Sequence, residues 1–115
     1  MKDDTLYLHH IRDALDAIKD YTVGGEEAFY QTRMIQDAVI RNLEIIGEAT
    51  KNLSPALREN HPHTPWKQIA GLRDILIHQY FGVDLKLVWT VVQVRLPALR
   101  DQTDQILNTS FPKDG

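Results

Sequence analysis

Between Leu72 and Phe81 the chain reads Leu-Arg-Asp-Ile-Leu-Ile-His-Gln-Tyr-Phe, which places an arginine, a histidine and a tyrosine within eight residues among strongly apolar neighbours. Arg73 can grip a phosphate with a planar fork of donors, His78 can move a proton near neutral pH, and Tyr80 offers a hydroxyl. Asp74 stands four residues before His78 and can orient or charge-stabilise its imidazole. These residue types suit phosphodiester chemistry, with Arg73 and His78 as the candidate catalytic pair, Asp74 in support and Tyr80 as a substrate contact. Their spacing sets a condition. On one continuous α-helix turning about 100° per residue, Arg73 and Tyr80 share a face and His78 points well away from it. Either the helix ends or bends near His78, or a second copy of the chain completes the site. On residue types alone, a core helix whose Arg and His are hydrogen-bonded for structural reasons competes equally with the catalytic reading.

The elements that must position this segment read as helices throughout. Thr5 to Tyr21 has Tyr7, Ile11, Ala14, Ile18 and Tyr21 at intervals of three and four, joined by Leu8 and Leu15, with Asp4 or Thr5 as cap. Asp13, Asp16, Lys19 and Asp20 fall on the opposite, solvated side, and Thr22-Val23-Gly24-Gly25 ends the helix. The period predicts one long helix from about Glu26 to Leu53, with the acidic pair Glu26-Glu27 near its positive end and Gly47 inside it, where a neighbouring helix approaches closely. Arg41, Glu44 and Glu48 form surface or interface ion pairs on this reading.

Ser54-Pro55 restarts a short helix, because a capping side chain precedes a proline at the first turn. His61-Pro62-His63-Thr64-Pro65 is a proline-punctuated loop. Its histidines have no carboxylate or cysteine nearby and read as exposed loop residues rather than a metal site. Adjacent His9 and His10 point apart on a helix and do not readily grip one ion. The next helix runs from Trp66 to about Gln79 and delivers Arg73. Phe81-Gly82-Val83-Asp84 is a turn with Asp84 as cap. A final helical stretch spans Leu85 to about Leu107, kinked or split by Pro97.

One domain over residues 1–108 and a flexible tail over 109–115 account for the 115-residue chain, which has no cysteine for disulfide, thiol or thiolate-metal chemistry. Its apolar runs fall short of the ~20 residues that span a bilayer, and Met1-Lys2-Asp3-Asp4 does not begin a signal peptide. A soluble, cytoplasmic protein with no membrane partner is the expectation. The net charge of −3 argues against binding nucleic acid by bulk electrostatics. Residues 1–50 carry five Lys/Arg against ten Asp/Glu, whereas residues 51–86 carry five against three. The motif therefore lies in the only basic third, on an acidic body.

With Arg73-Asp74-Ile75-Leu76-Ile77-His78-Gln79-Tyr80 in view, the chain resembles the HepT-like toxins of the HEPN superfamily, whose signature is R-x-x-x-x-H-x-Y with a polar residue after the arginine. Asp37-Ala38-Val39-Ile40-Arg41-Asn42-Leu43-Glu44-Ile45-Ile46-Gly47-Glu48-Ala49 is similar to that family's second-helix block. Pro65-Trp66-Lys67-Gln68-Ile69-Ala70-Gly71-Leu72-Arg73 resembles its approach to the catalytic helix. The likeness runs in order from about Tyr7 to Ile106.

The resemblance implies an all-α, antiparallel HEPN-like bundle of about five helices that forms a homodimer, with two signature segments facing one cleft. It implies a metal-independent endoribonuclease that needs no cofactor, acting on tRNA or mRNA as the toxin of a toxin–antitoxin pair. The antitoxin would be a minimal nucleotidyltransferase of the MntA type, which neutralises the toxin by adding AMP to the motif tyrosine, here Tyr80. Such cleavage needs a base, an acid and charge stabilisation at phosphorus. Each chain has one motif histidine, so two chains together supply both base and acid. Two readings compete: a non-catalytic helical partner that presents substrate to a nucleotidyltransferase, and a plain dimerisation module.

Overall fold

The computed structural model of the protein describes residues 3–72 and 84–110, and every element of secondary structure among them is helical. Helix α1 (Asp4–Tyr21) buries Leu8, Ile11, Ala14, Leu15 and Ile18, the stripe expected from its period. Tyr7 is only half-buried and Tyr21 is exposed. The cap differs from the expectation. Asp3, not Asp4 or Thr5, accepts the Leu6 N–H at 3.2 Å. Asp4 reaches across the fold instead. Its Oδ1 accepts the Ser54 N–H at 2.8 Å and its Oδ2 accepts the Ser54 hydroxyl at 2.6 Å. The Ser54 Oγ in turn accepts the Leu57 N–H at 3.1 Å and so caps α4 (Pro55–Asn60), as its Ser-Pro sequence predicts.

The expected long helix is two helices, α2 (Gly25–Gln31) and α3 (Arg33–Lys51). Gly25 opens α2 at φ 89°, a left-handed conformation that glycine takes without strain. Between the helices Thr32 is extended, at φ −120° and ψ 103°. A break of this kind frees carbonyls at the end of the first helix. Here the Gln36 side-chain amide donates to the Phe29 and Tyr30 carbonyls at 2.9 and 3.1 Å and replaces the lost ladder bonds. The apolar period runs on through the break, so periodicity alone does not expose it.

Helix α3 buries Val39, Leu43, Ile46, Gly47, Ala49 and Thr50, with the Thr50 hydroxyl satisfied by the Ile46 carbonyl. Its row packs along the α1 stripe. Burying each such Leu or Ile contributes about 1.5–3 kcal/mol, which makes this pair the principal core. Because the start of α1 holds Ser54, just beyond the end of α3, the two helices run antiparallel.

Helix α5 (Trp66–Ala70) packs on α3. Trp66 is buried and its indole N–H donates to the His61 carbonyl at 2.9 Å, closing the proline-punctuated loop. The helix expected to run on to Gln79 is interrupted. It ends at Ala70, Gly71 forms a turn with its N–H on the Lys67 carbonyl, and Leu72 is helical again. Glycine lowers the cost of leaving the helix at that point.

After residue 83, Asp84 accepts the Leu87 N–H at 3.1 Å and caps α6 (Leu85–Thr90), as expected. A π-helical turn over Val91–Arg95 then leads into α7 (Leu96–Ser110). The expected disturbance by Pro97 takes this form. Pro97 has no N–H for the Gln93 carbonyl and its ring would press on that oxygen. Just before it the ladder widens, with the Leu96 N–H bonded to the Val91 carbonyl. Helix α7 passes Leu107 and continues to Ser110, and the rest of the expected tail lies outside the described residues.

Two ion pairs tie α7 to α1. Arg12 meets Asp104 at 3.2 Å, and Arg100 donates to Asp16. As the index rises on α1 it falls on α7, so these helices are antiparallel too. Asp16, expected to be solvated, is thus engaged, whereas Asp13, Lys19 and Asp20 are exposed. Among the described residues no helix is long and apolar enough to cross a membrane.

Candidate active site

The signature residues Arg73, Asp74, His78 and Tyr80 lie outside the described residues; both flanks of their segment are described. On the entry side, Trp66 and Ile69 are buried and fix α5 on α3, which brings the chain to half-buried Leu72. On the exit side, α6 packs on α2, where the rings of Phe29 and Trp89 lie 5.3 Å apart. Tyr30 on α2 has its phenol pKa raised, first by desolvation, then by the Glu26 carboxylate through charge and a hydrogen bond, and by the charge of Asp84. The Asp84 cap is therefore near enough to be felt by α2. The described flanks on either side of the motif segment are thus each packed against another helix.

Among the described residues, one cavity borders these flanks and another lies apart from them. The larger, about 840 Å³, is apolar. Ile69 and Leu72 line one side of it, and Leu87, Val88, Val91 and Leu99 the other. At its rim Arg95 donates to the Gln68 side-chain oxygen at 3.1 Å.

The smaller cavity, about 350 Å³, is polar and lies between α1 and α3. Helix α1 contributes Tyr7 and His10, whose rings meet edge-on at 5.8 Å. Helix α3 contributes Arg41, Glu44 and Glu48, and the residue capping its end contributes Asn52, with Ile45 and Ala49 as an apolar floor. Tyr7, Glu44 and Asn52 are half-buried, and His10, Arg41 and Glu48 stand exposed at the rim. Arg41 does not form the expected pair with Glu44 or Glu48, and it has no ion-pair partner among the described residues. The Asn52 amide donates to the Glu48 carbonyl at 2.9 Å, which leaves its side-chain oxygen as an acceptor. Sequence reading found Arg41, Glu44 and Glu48 at helical spacing and missed their convergence with Tyr7, His10 and Asn52. That convergence depends on the antiparallel pairing of α1 and α3.

His9, His61 and His63 take no part in either cavity, and among the described residues no three metal-ligating side chains stand together.

Comparison with known proteins extends over nearly the whole chain. The family described as "Ribonuclease HepT-like" matches residues 11–106. A Methanocaldococcus jannaschii protein described as "Gamma-glutamylcyclotransferase and putative RNase" is 48% identical over 107 residues, 92% of this chain. The chain spans only 48% of the length of that relative. A "Putative RNase" of the same organism is 40% identical over 114 residues, covering 98% of this chain and 94% of the relative. A "Probable ribonuclease HepT" of Thermococcus cleftensis is 41% identical over 101 residues, covering 87% of this chain and 92% of the relative. No solved structure matches the chain. With only helices among its described residues and a family match covering most of its length, the chain belongs to the HepT-like ribonuclease family.

Proposed function

We propose that this protein is a metal-independent endoribonuclease, the toxin of a toxin–antitoxin pair, working as a homodimer in which two Arg73/His78 segments share one cleft. The observation that carries this reading is a family match over residues 11–106 in a chain that keeps the signature Arg73, His78 and Tyr80 at full spacing. One His78 takes the proton of the 2′-hydroxyl, the 2′-oxygen bonds to phosphorus, and the bond to the 5′-oxygen breaks. The His78 of the second copy gives its proton to the departing 5′-oxygen. A 2′,3′-cyclic phosphate and a 5′-hydroxyl result. Arg73 neutralises charge that builds on the phosphate oxygens, and Asp74 positions the imidazole. Base, acid and charge stabilisation all come from side chains, so the step calls for no metal.

tRNA is the proposed substrate class. Tyr80 is the proposed acceptor of AMP from an MntA-like nucleotidyltransferase antitoxin, and a bulky anion there would block the cleft and repel RNA phosphate. The test is cleavage of total tRNA with a chelator present. Wild-type protein should cut, while His78→Ala and Arg73→Ala should each lose cleavage with helical content retained. An active His78→Ala protein overturns the assignment.

A further inference from the structure

We propose that the polar cavity between α1 and α3 is a recognition pocket for a single unpaired guanosine nucleotide, with Glu44 as the residue that reads the base. The inference deepens the ribonuclease reading, because it gives the enzyme a base preference at a site formed by residues outside its signature.

Size comes first. About 350 Å³ is at the small end of ligand pockets and accommodates one nucleoside. The arrangement of donors and acceptors comes second. The Glu44 carboxylate and the Asn52 side-chain oxygen offer acceptors in the half-buried part, beside the apolar Ile45 and Ala49 floor and the Tyr7 ring. Glu44 lines the cavity and has no hydrogen-bond or ion-pair partner among the described residues, so its carboxylate is available to a ligand. The cationic and proton-bearing groups, Arg41 and His10, stand at the exposed rim.

A fitting ligand therefore presents N–H donors inward, a flat apolar face to Tyr7 and an anion outward. Among the four RNA bases, only guanine carries two adjacent donors, N1–H and the N2 amine, that one carboxylate can accept together. Adenine and cytosine each set a ring acceptor beside their amine, and uracil flanks its one N–H with two carbonyls. Unpaired bases in RNA are commonly held by aromatic faces and read on this edge. Arg41 at the rim is placed for the attached phosphate. It also disfavours the cationic side chain of a protein partner, which Glu44 would otherwise attract.

Binding of guanosine 5′-monophosphate and adenosine 5′-monophosphate to the full chain, measured by titration calorimetry, tests the pocket without reference to cleavage. Guanosine monophosphate should bind about tenfold or more tightly, the scale of one bidentate base contact. Inosine monophosphate, which lacks the N2 amine, should lose that advantage. Glu44→Gln should remove the guanine preference, and Arg41→Ala should weaken both nucleotides alike. Equal binding of the two nucleotides, no saturable binding of either, or an unaltered preference in Glu44→Gln overturns the proposal. If wild-type protein cuts tRNA yet shows no guanine preference, the pocket fails and the ribonuclease reading stands. If the preference is present and no RNA is cut, the pocket stands and the ribonuclease reading fails.

Discussion

Replacing Asp4 by alanine should destabilise the fold more than a change at an outer helix terminus normally does. The Asp4 carboxylate makes two charge-assisted hydrogen bonds, at 2.8 and 2.6 Å, to the backbone N–H and hydroxyl of Ser54. Hydrogen bonds to charged groups contribute about 1.5–3 kcal/mol each. Ser54 is half-buried, so water can replace part of what is lost, and the lower end of that range applies. The expected cost is roughly 2–3 kcal/mol, which lowers the melting temperature of a domain of this size by about 8–12 °C. The Ser54 cap on Leu57 does not involve Asp4 and should persist, so helical content before unfolding should be unchanged. Urea and thermal unfolding followed by far-ultraviolet circular dichroism measure the effect. Combining Asp4→Ala with Ser54→Ala in a double-mutant cycle should give a coupling above about 1 kcal/mol. A loss below about 0.5 kcal/mol, or additive single substitutions, would refute the reasoning that this contact staples the start of α1 to α4.

Gln36→Ala should cost about 1–2 kcal/mol, because the Phe29 and Tyr30 carbonyls at the end of α2 lose their donor; faster amide exchange confined to α2 is the accompanying sign. Arg100→Ala should cost less than about 1 kcal/mol, since its pair with Asp16 is partly exposed, and the cost should shrink in about 1 M salt. A cost that salt leaves unchanged would mean that packing of the arginine stem matters more than its charge. Incubation with a cognate nucleotidyltransferase and ATP should add one adenylate mass that Tyr80→Phe prevents; unaltered labelling of the variant removes Tyr80 as acceptor.

The sequence revealed those features that depend on neighbours along the chain. The α1 stripe, the Ser54-Pro55 restart and the Asp84 cap each rest on residues within one or two turns, and all are present. Features that depend on distant partners were hidden. The break at Thr32 is tolerated because Gln36 reaches back to two carbonyls, a contact that apolar periodicity does not register. Asp4 is a good cap by type, yet Asp3 caps and Asp4 serves Ser54, fifty residues away. Asp16 looked solvated because its partner, Arg100, belongs to the last helix. The same holds for the candidate sites. The signature was legible as a pattern of residues, and the resemblance to the family followed from it. Of the polar cavity, only the α3 row of Arg41, Glu44 and Glu48 was legible, because the approach of Tyr7 and His10 depends on setting α1 and α3 antiparallel.

The crossed pairs Arg12–Asp104 and Asp16–Arg100 also bear on how this domain can be joined to others. Since α1 and α7 run side by side in opposite directions, the start of the first helix and the end of the last emerge at the same pole of the bundle. A fused neighbour at either end, or an insertion into a host loop, would then meet the domain at that one pole and leave its flanks uncovered. The same proximity makes the fold a natural candidate for circular permutation, with a short linker joining Ser110 back to Asp4 and new ends opened in the exposed Val23–Gly24 turn.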